Sequence, residues 1–82
     1  METIIVEIML AGVHQSYDFV LPAHVPVGCI LWRLIEIIRQ AAHVGIDDDH
    51  PCLYDAEGKH IIPLEQTLAQ AGIRDSSLLV LI

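Results

Sequence analysis

The residues able to do chemistry are few and scattered. Five histidines, His14, His24, His43, His50 and His60, are the first place to seek a metal or acid–base site. They fall on predicted turns and loops, and no pair has the HxxxH or HExxH spacing that puts two imidazoles on one helix face. They read as solvated surface residues. The run Asp47-Asp48-Asp49-His50 is the most ligand-like cluster. A calcium loop needs spaced carboxylates, a central glycine and a distal glutamate. Three adjacent carboxylates project in different directions instead, so the run supports a weak metal site at most. Cys29 and Cys52 form no CxxC pair. Cys29 falls near the start of a predicted helix, where a thiolate is favoured, but no histidine accompanies it; both thiols are expected to be packing residues. Ser76-Ser77 lacks the G-x-S-x-G context of a nucleophilic serine, and no glycine-rich phosphate loop is present. The expectation is a chain without catalytic residues, metal or cofactor, and therefore not an enzyme.

Composition points the same way. The chain has 82 residues, 54% of them hydrophobic, and a net charge of −7 from eleven acidic and four basic side chains. That length makes one domain, 1–82. The apolar content excludes a disordered chain. The negative charge makes nucleic acid and anionic lipid poor partners. No apolar run approaches the roughly 18–20 residues of a membrane span, and Met1-Glu2-Thr3 lacks the basic start of a signal peptide. A cytoplasmic protein is expected, with no direct membrane insertion.

The elements that would position a site are clearer than any site. Thr3-Ile4-Ile5-Val6-Glu7-Ile8-Met9-Leu10 is a β-branched run with Ile4, Val6, Ile8 and Leu10 on one face and Thr3, Ile5, Glu7 and Met9 on the other. Ala11-Gly12 supplies a turn. In His14-Gln15-Ser16-Tyr17-Asp18-Phe19-Val20-Leu21, Tyr17, Phe19 and Leu21 alternate with Ser16, Asp18 and Val20. Two such runs across a short link predict a β-hairpin. After a loop bracketed by Pro22 and Pro26, a helix is predicted over 27–43 and ended by Gly45. Its core stripe is Val27, Leu31, Leu34, Ile38 and Ala41, widened by Ile30, Ile35 and Ile37. Arg33, Glu36, Arg39 and Gln40 form a thin polar side with Trp32 at its edge. Cys52-Leu53-Tyr54-Asp55 reads as a short strand, Ala56-Glu57-Gly58-Lys59 as a turn and His60-Ile61-Ile62 as a brief return. One helical turn is expected over 64–70, then a reversal at Gly72. The last strand, Leu78-Leu79-Val80-Leu81-Ile82, is apolar on both faces and suits the middle of a sheet. A lone helix with a broad apolar stripe must lie across one sheet face. The predicted fold is α+β, a mixed sheet of four to five strands packed on one main helix.

This order of elements resembles the ubiquitin-like β-grasp superfamily along the whole chain. The resemblance rests on Leu53-Tyr54-Asp55-Ala56-Glu57-Gly58-Lys59, then Gln66-Thr67-Leu68-Ala69-Gln70-Ala71-Gly72-Ile73, then Asp75-Ser76-Ser77-Leu78-Leu79-Val80. These follow the superfamily's succession of strand, Gly-Lys turn, "T-L-x-x-x-x-I" short helix and "S-x-L-x-L" closing strand. Leu68 and Ile73 would plug one end of the core, and Leu79 and Leu81 would close the sheet over the helix. Tyr17-Asp18-Phe19-Val20-Leu21-Pro22-Ala23-His24-Val25-Pro26-Val27 is similar to the "D-x-x-L-P-x-x-V-P-V" region of the EsaB/YukD family of type VII secretion accessory proteins, and of the cytosolic ubiquitin-like domain of EccD. Conjugating modifiers and sulfur carriers of the superfamily continue to a Gly-Gly carboxylate; this sequence stops at Leu81-Ile82, as YukD-like proteins do. The resemblance implies a stand-alone, non-conjugating adaptor or regulator that binds proteins of the secretion machinery. The alternatives are a generic β-grasp interaction module unrelated to secretion and, more remotely, a modifier or sulfur carrier without its tail.

The surplus of apolar residues marks the surface for such binding. With one sheet face on the helix, the opposite face would show Ile5, Met9, Val20, Tyr54, Leu78, Val80 and Ile82. A contiguous exposed apolar face of this kind marks an interaction site. In ubiquitin the matching face is the main recognition patch, and the resemblance aligns Tyr54, Val80 and Ile82 with its centre. Trp32 on the helix edge is a second candidate, since tryptophan is enriched at binding hot spots. Either surface also suits a homodimer.

Overall fold

Strict alternation at the start of the chain folds into the predicted hairpin. In the computed structural model, which describes residues 2–11, 15–42 and 51–82, strand β1 (Thr3–Leu10) pairs antiparallel with β2 (Gln15–Pro22), Ile4 opposite Leu21 and Leu10 opposite Gln15. Helix α1 (Val27–Ala42) follows, then the short strands β3 (Leu53–Asp55) and β4 (His60–Ile61), and finally β5 (Ser77–Leu81). The sheet order is β2-β1-β5-β3-β4, with β5 parallel to β1 and antiparallel to β3. The strand that is apolar on both faces therefore takes the centre, where both of its edges are paired. Predicted features at Gly12, His14, His43, Gly45 and the Asp47-Asp48-Asp49-His50 run lie outside the described residues.

The core sits between the inner sheet face and α1. Ile4, Val6, Ile8 and Leu10 of β1 and Leu79 and Leu81 of β5 meet Val27, Ile30, Leu31, Leu34, Ile35 and Ile38 of the helix. Leu68 and Ile73 are buried with them, as expected of plugs at the end of the core. Two expectations need correction. Ile37 is 46% exposed and does not belong to the core stripe. Cys29 is exposed rather than packed, and Cys52 is only half-buried. Positions 29, 33 and 37 stand one helical turn apart, so they share one stripe. The sheet covers the neighbouring stripe instead, and in so apolar a helix residue type alone does not separate the two.

Among the described residues, no side chain caps the start of α1. Its first N–H groups are satisfied from a distance: Val27 N–H donates to the Gln66 carbonyl at 2.8 Å and Gly28 N–H to the Leu64 carbonyl at 3.0 Å. The absence of a side chain at Gly28 allows this approach, since a Cβ there would come within 3.3 Å of the Leu64 carbonyl oxygen and Cβ. The segment that provides these carbonyls is fixed in turn by its own hydrogen bonds. Thr67 N–H donates to Gln70 Oε1 at 2.9 Å and Gln70 N–H to Thr67 Oγ1 at 3.1 Å, a reciprocal capping box. At the other end Ile73 N–H reaches the Leu68 carbonyl and Gly72 N–H the Ala69 carbonyl, with Gly72 at φ 78°, the left-handed stop of a Schellman motif. The helical turn expected over 64–70 is thus displaced to the stretch from Thr67 to Gly72, because the capping residues and the terminal glycine define its ends.

Candidate protein-docking face

Register decides which side chains meet on the outer face. Odd-numbered residues of β1 and even-numbered residues of β2, β3 and β5 point away from α1, as their burial pattern shows. One row crosses the whole sheet: Ser16 opposite Met9, Met9 beside Val80, Val80 opposite Tyr54, and Tyr54 opposite Ile61. Four of these five side chains are apolar. Leu78 lies one step along β5, and Ile82 is exposed just beyond its end, where the Ile82 and Cys52 backbones exchange hydrogen bonds. All seven sheet-face residues expected from the sequence point outward: Ile5, Val20 and Ile82 are exposed, and Met9, Tyr54, Leu78 and Val80 are half-buried by their neighbours.

They do not form one uniform patch. Ile5 faces Val20 across β1 and β2, but Glu7 faces Asp18 in the next outward row. Two like charges thus stand between the Ile5–Val20 pair and the row that begins at Met9. The larger apolar area is centred on β5 and β3. Ile61, 53% exposed, belongs to it and was missed in the sequence reading. The signal was available: an antiparallel return over the Ala56-Glu57-Gly58-Lys59 turn places Ile61 directly opposite Tyr54.

Trp32 is not part of this face. It is 57% exposed on α1, on the other side of the sheet, and borders a groove of about 320 Å³ with Leu31, Ile61, Pro63 and Leu64. Ile61 is common to both surfaces, so the apolar area continues around the β4 edge from Tyr54 to Trp32.

Most polar side chains around these surfaces are committed to structure, and Cys52 lines the groove beside Trp32. The buried Asp55 carboxylate accepts the Glu57 N–H at 3.1 Å and holds the turn after β3. Gly58 lets the chain pass over it, since a Cβ there would stand 2.7 Å from Asp55 Oδ2. Ser77 Oγ accepts the Arg74 N–H at 3.0 Å. His24 Nε2 lies 2.8 Å from Glu2 Oε1 with both side chains exposed, an arrangement worth little in water. Among the described residues no three His, Cys, Asp or Glu side chains gather as a metal site, and no helix is long and apolar enough to cross a membrane. The surface offers apolar area and backbone edges, which are means of binding.

Comparison with known proteins places this architecture. The structure is similar to the ubiquitin-like domain of the Mycobacterium tuberculosis type VII secretion system protein ECCD1, with TM-score 0.83, 26% identity and coverage of 100% of this chain and 99% of that one. The EccD5 ubiquitin-like domain from Mycobacterium xenopi matches with TM-score 0.82 and 19% identity over 100% of this chain and 94% of that one. The ubiquitin of Caldiarchaeum subterraneum shares the fold at TM-score 0.74 and 18% identity, over 99% and 92% of the two chains. Among curated protein sequences, none matches significantly. The family model described as WXG100 protein secretion system (Wss), protein YukD, matches residues 3–81, and on that match this ubiquitin-like β-grasp chain belongs to the YukD family.

Proposed function

We propose that this chain is a cytoplasmic, non-catalytic accessory protein of a type VII secretion system, and that it acts by non-covalent docking of another protein of that machinery on the outer face of its sheet. The single observation that carries the reading is the apolar row Met9–Val80–Tyr54–Ile61, which crosses four adjacent strands on the face turned away from the helix. Small soluble domains seldom leave such a row open without a use for it. Membership of the YukD family supplies the secretion context. Tyr54 is the expected anchor, since a partly exposed tyrosine combines a large rigid area with a polar tip. A partner that covers Tyr54 and Ile61 and continues around β4 would also reach Trp32, which unites the two candidate surfaces.

The test is the double variant Tyr54→Asp, Val80→Asp. Both side chains are partly exposed, so the fold should persist, which circular dichroism verifies. Co-purification of secretion-machinery proteins with the chain from its own cells should be lost, and export of WXG100 proteins should fall. Undiminished co-purification by the folded variant would rule the face out. Sedimentation of the purified parent checks the homodimer reading: a dimer dissociated by the same variant would assign the face to self-association.

A further inference from the structure

The other end of the sheet carries a second, independent feature. Strand β2 is an edge strand of eight residues. In β1, Ile5 turns its backbone toward the β5 side, accepting the Ser76 N–H at 2.8 Å and donating to Asp75 Oδ1 at 2.9 Å. Alternation then aims Ile4, Val6, Ile8 and Leu10 at β2, and the residues bonded in return are Leu21, Phe19, Tyr17 and Gln15. The N–H and C=O groups of Ser16, Asp18 and Val20 therefore point outward from the sheet. Pro22, in phase with them, has no N–H to waste at an edge. Alongside this edge, Phe19, Leu21, Val25, Ile30 and Ile37 line an apolar groove of about 320 Å³ between β2 and α1, and among the described residues Arg33 is its one charged lining residue.

We propose that the β2 edge and this groove take an extended segment of a partner protein as an added strand, with apolar side chains at the positions facing the groove and a basic side chain opposite Asp18. Charge complementarity selects the occupant. Asp18 and Glu7 stand side by side on the outer face, and like charges directly opposite each other are unfavourable. Lysine or arginine on a strand added beyond β2 would relieve that repulsion, and the chain's net charge of −7 favours a basic segment at longer range. Inside the groove the sign is reversed: Arg33 excludes lysine and arginine from the groove-facing positions. A second copy of this chain is a poorer occupant than a basic strand, because antiparallel pairing of two β2 edges sets Asp18 against Asp18 in one central register and against Val20 in the other, and in neither does Asp18 meet a cation. The acidic residue and the proline blunt the edge against self-pairing while leaving it open to a strand of opposite charge. Backbone pairing supplies affinity and the alternating side chains supply selectivity.

Two end-blocked nonapeptides test the assignment, one alternating valine with lysine and one alternating valine with glutamate, titrated into the full chain at neutral pH with amide hydrogen exchange as the readout. The lysine peptide should protect the amides of Ser16, Asp18 and Val20, leave those of Tyr17 and Phe19 unchanged, and bind roughly fivefold more tightly than the glutamate peptide. Asp18→Lys, an exposed change, should reverse that order; Ile37→Asp at the groove should weaken both peptides. Tyr54→Asp should leave the lysine peptide's affinity unchanged, which separates this edge from the sheet face. No protection at Ser16, Asp18 and Val20, or equal binding of both peptides, would overturn the proposal. So would protection that grows with protein concentration in the absence of peptide, because the occupant would then be a second copy.

Discussion

Replacing Gly72 by alanine isolates the free energy of one backbone conformation. Gly72 has φ 78°, and a Cβ built on it meets nothing within 4 Å. There is consequently no clash term, and the cost is purely conformational. The left-handed region costs an L-residue about 1–2 kcal/mol. Alanine also restricts the unfolded chain, which offsets about 0.4–1 kcal/mol of that. The net loss is about 1 kcal/mol. For a chain of 82 residues, whose whole stability is of order 4–12 kcal/mol, this is a measurable fraction and lowers Tm by about 4–8 °C. Urea unfolding followed by far-ultraviolet circular dichroism is the suitable assay, since Trp32 is largely exposed already and its fluorescence will change little. The midpoint should fall while the slope stays constant. Asparagine, which tolerates the left-handed region, should lose less than alanine. An alanine variant as stable as the parent would refute the Schellman stop at Gly72. Equal and severe losses for alanine and asparagine would mean crowding that the structure places nowhere near this residue.

Three further outcomes follow from the packing. Leu68→Ala removes a fully buried side chain from the turn that helps seal the core, and should cost about 3 kcal/mol by chemical denaturation. Gly58→Ala places a Cβ against the Asp55 carboxylate and the His60 ring and should cost about 1–3 kcal/mol despite alanine's stiffer unfolded chain; the same assay reads it. Cys29 should react with a thiol reagent in the native protein well before Cys52, because only the first is exposed; equal rates would contradict the orientation of α1.

The sheet was more legible than the helix, for a physical reason. In β1 and β2 the two-residue period leaves each side chain only two directions, and burial on one face sorts them. Ile4, Val6, Ile8 and Leu10 therefore pointed inward, and Ile5 and Met9 outward, as alternation requires. The double apolarity of Leu78-Leu79-Val80-Leu81 likewise implied a strand with neighbours on both sides, and β5 has them. In α1 the stripe is a continuous angle, and a helix carrying Val27, Cys29, Ile30, Leu31, Trp32, Leu34, Ile35, Ile37 and Ile38 has too few polar residues to mark its edges. Ile37 and Cys29 were misplaced for that reason. The caps escaped notice as well: the carbonyls that satisfy the start of α1 come from Leu64 and Gln66, remote in sequence. On the outer face, composition identified the apolar residues, but only register revealed that Glu7 and Asp18 interrupt them and that Ile61 extends them.

Photo-cross-linking in the chain's own cells tests the docking face most directly. A photoreactive phenylalanine analogue is placed at Tyr54 in one strain and at Glu36, on the exposed side of α1, in another. The account predicts that position 54 captures a protein of the type VII secretion machinery and position 36 does not. Capture from position 36 alone, with position 54 silent in a folded and expressed variant, would contradict it.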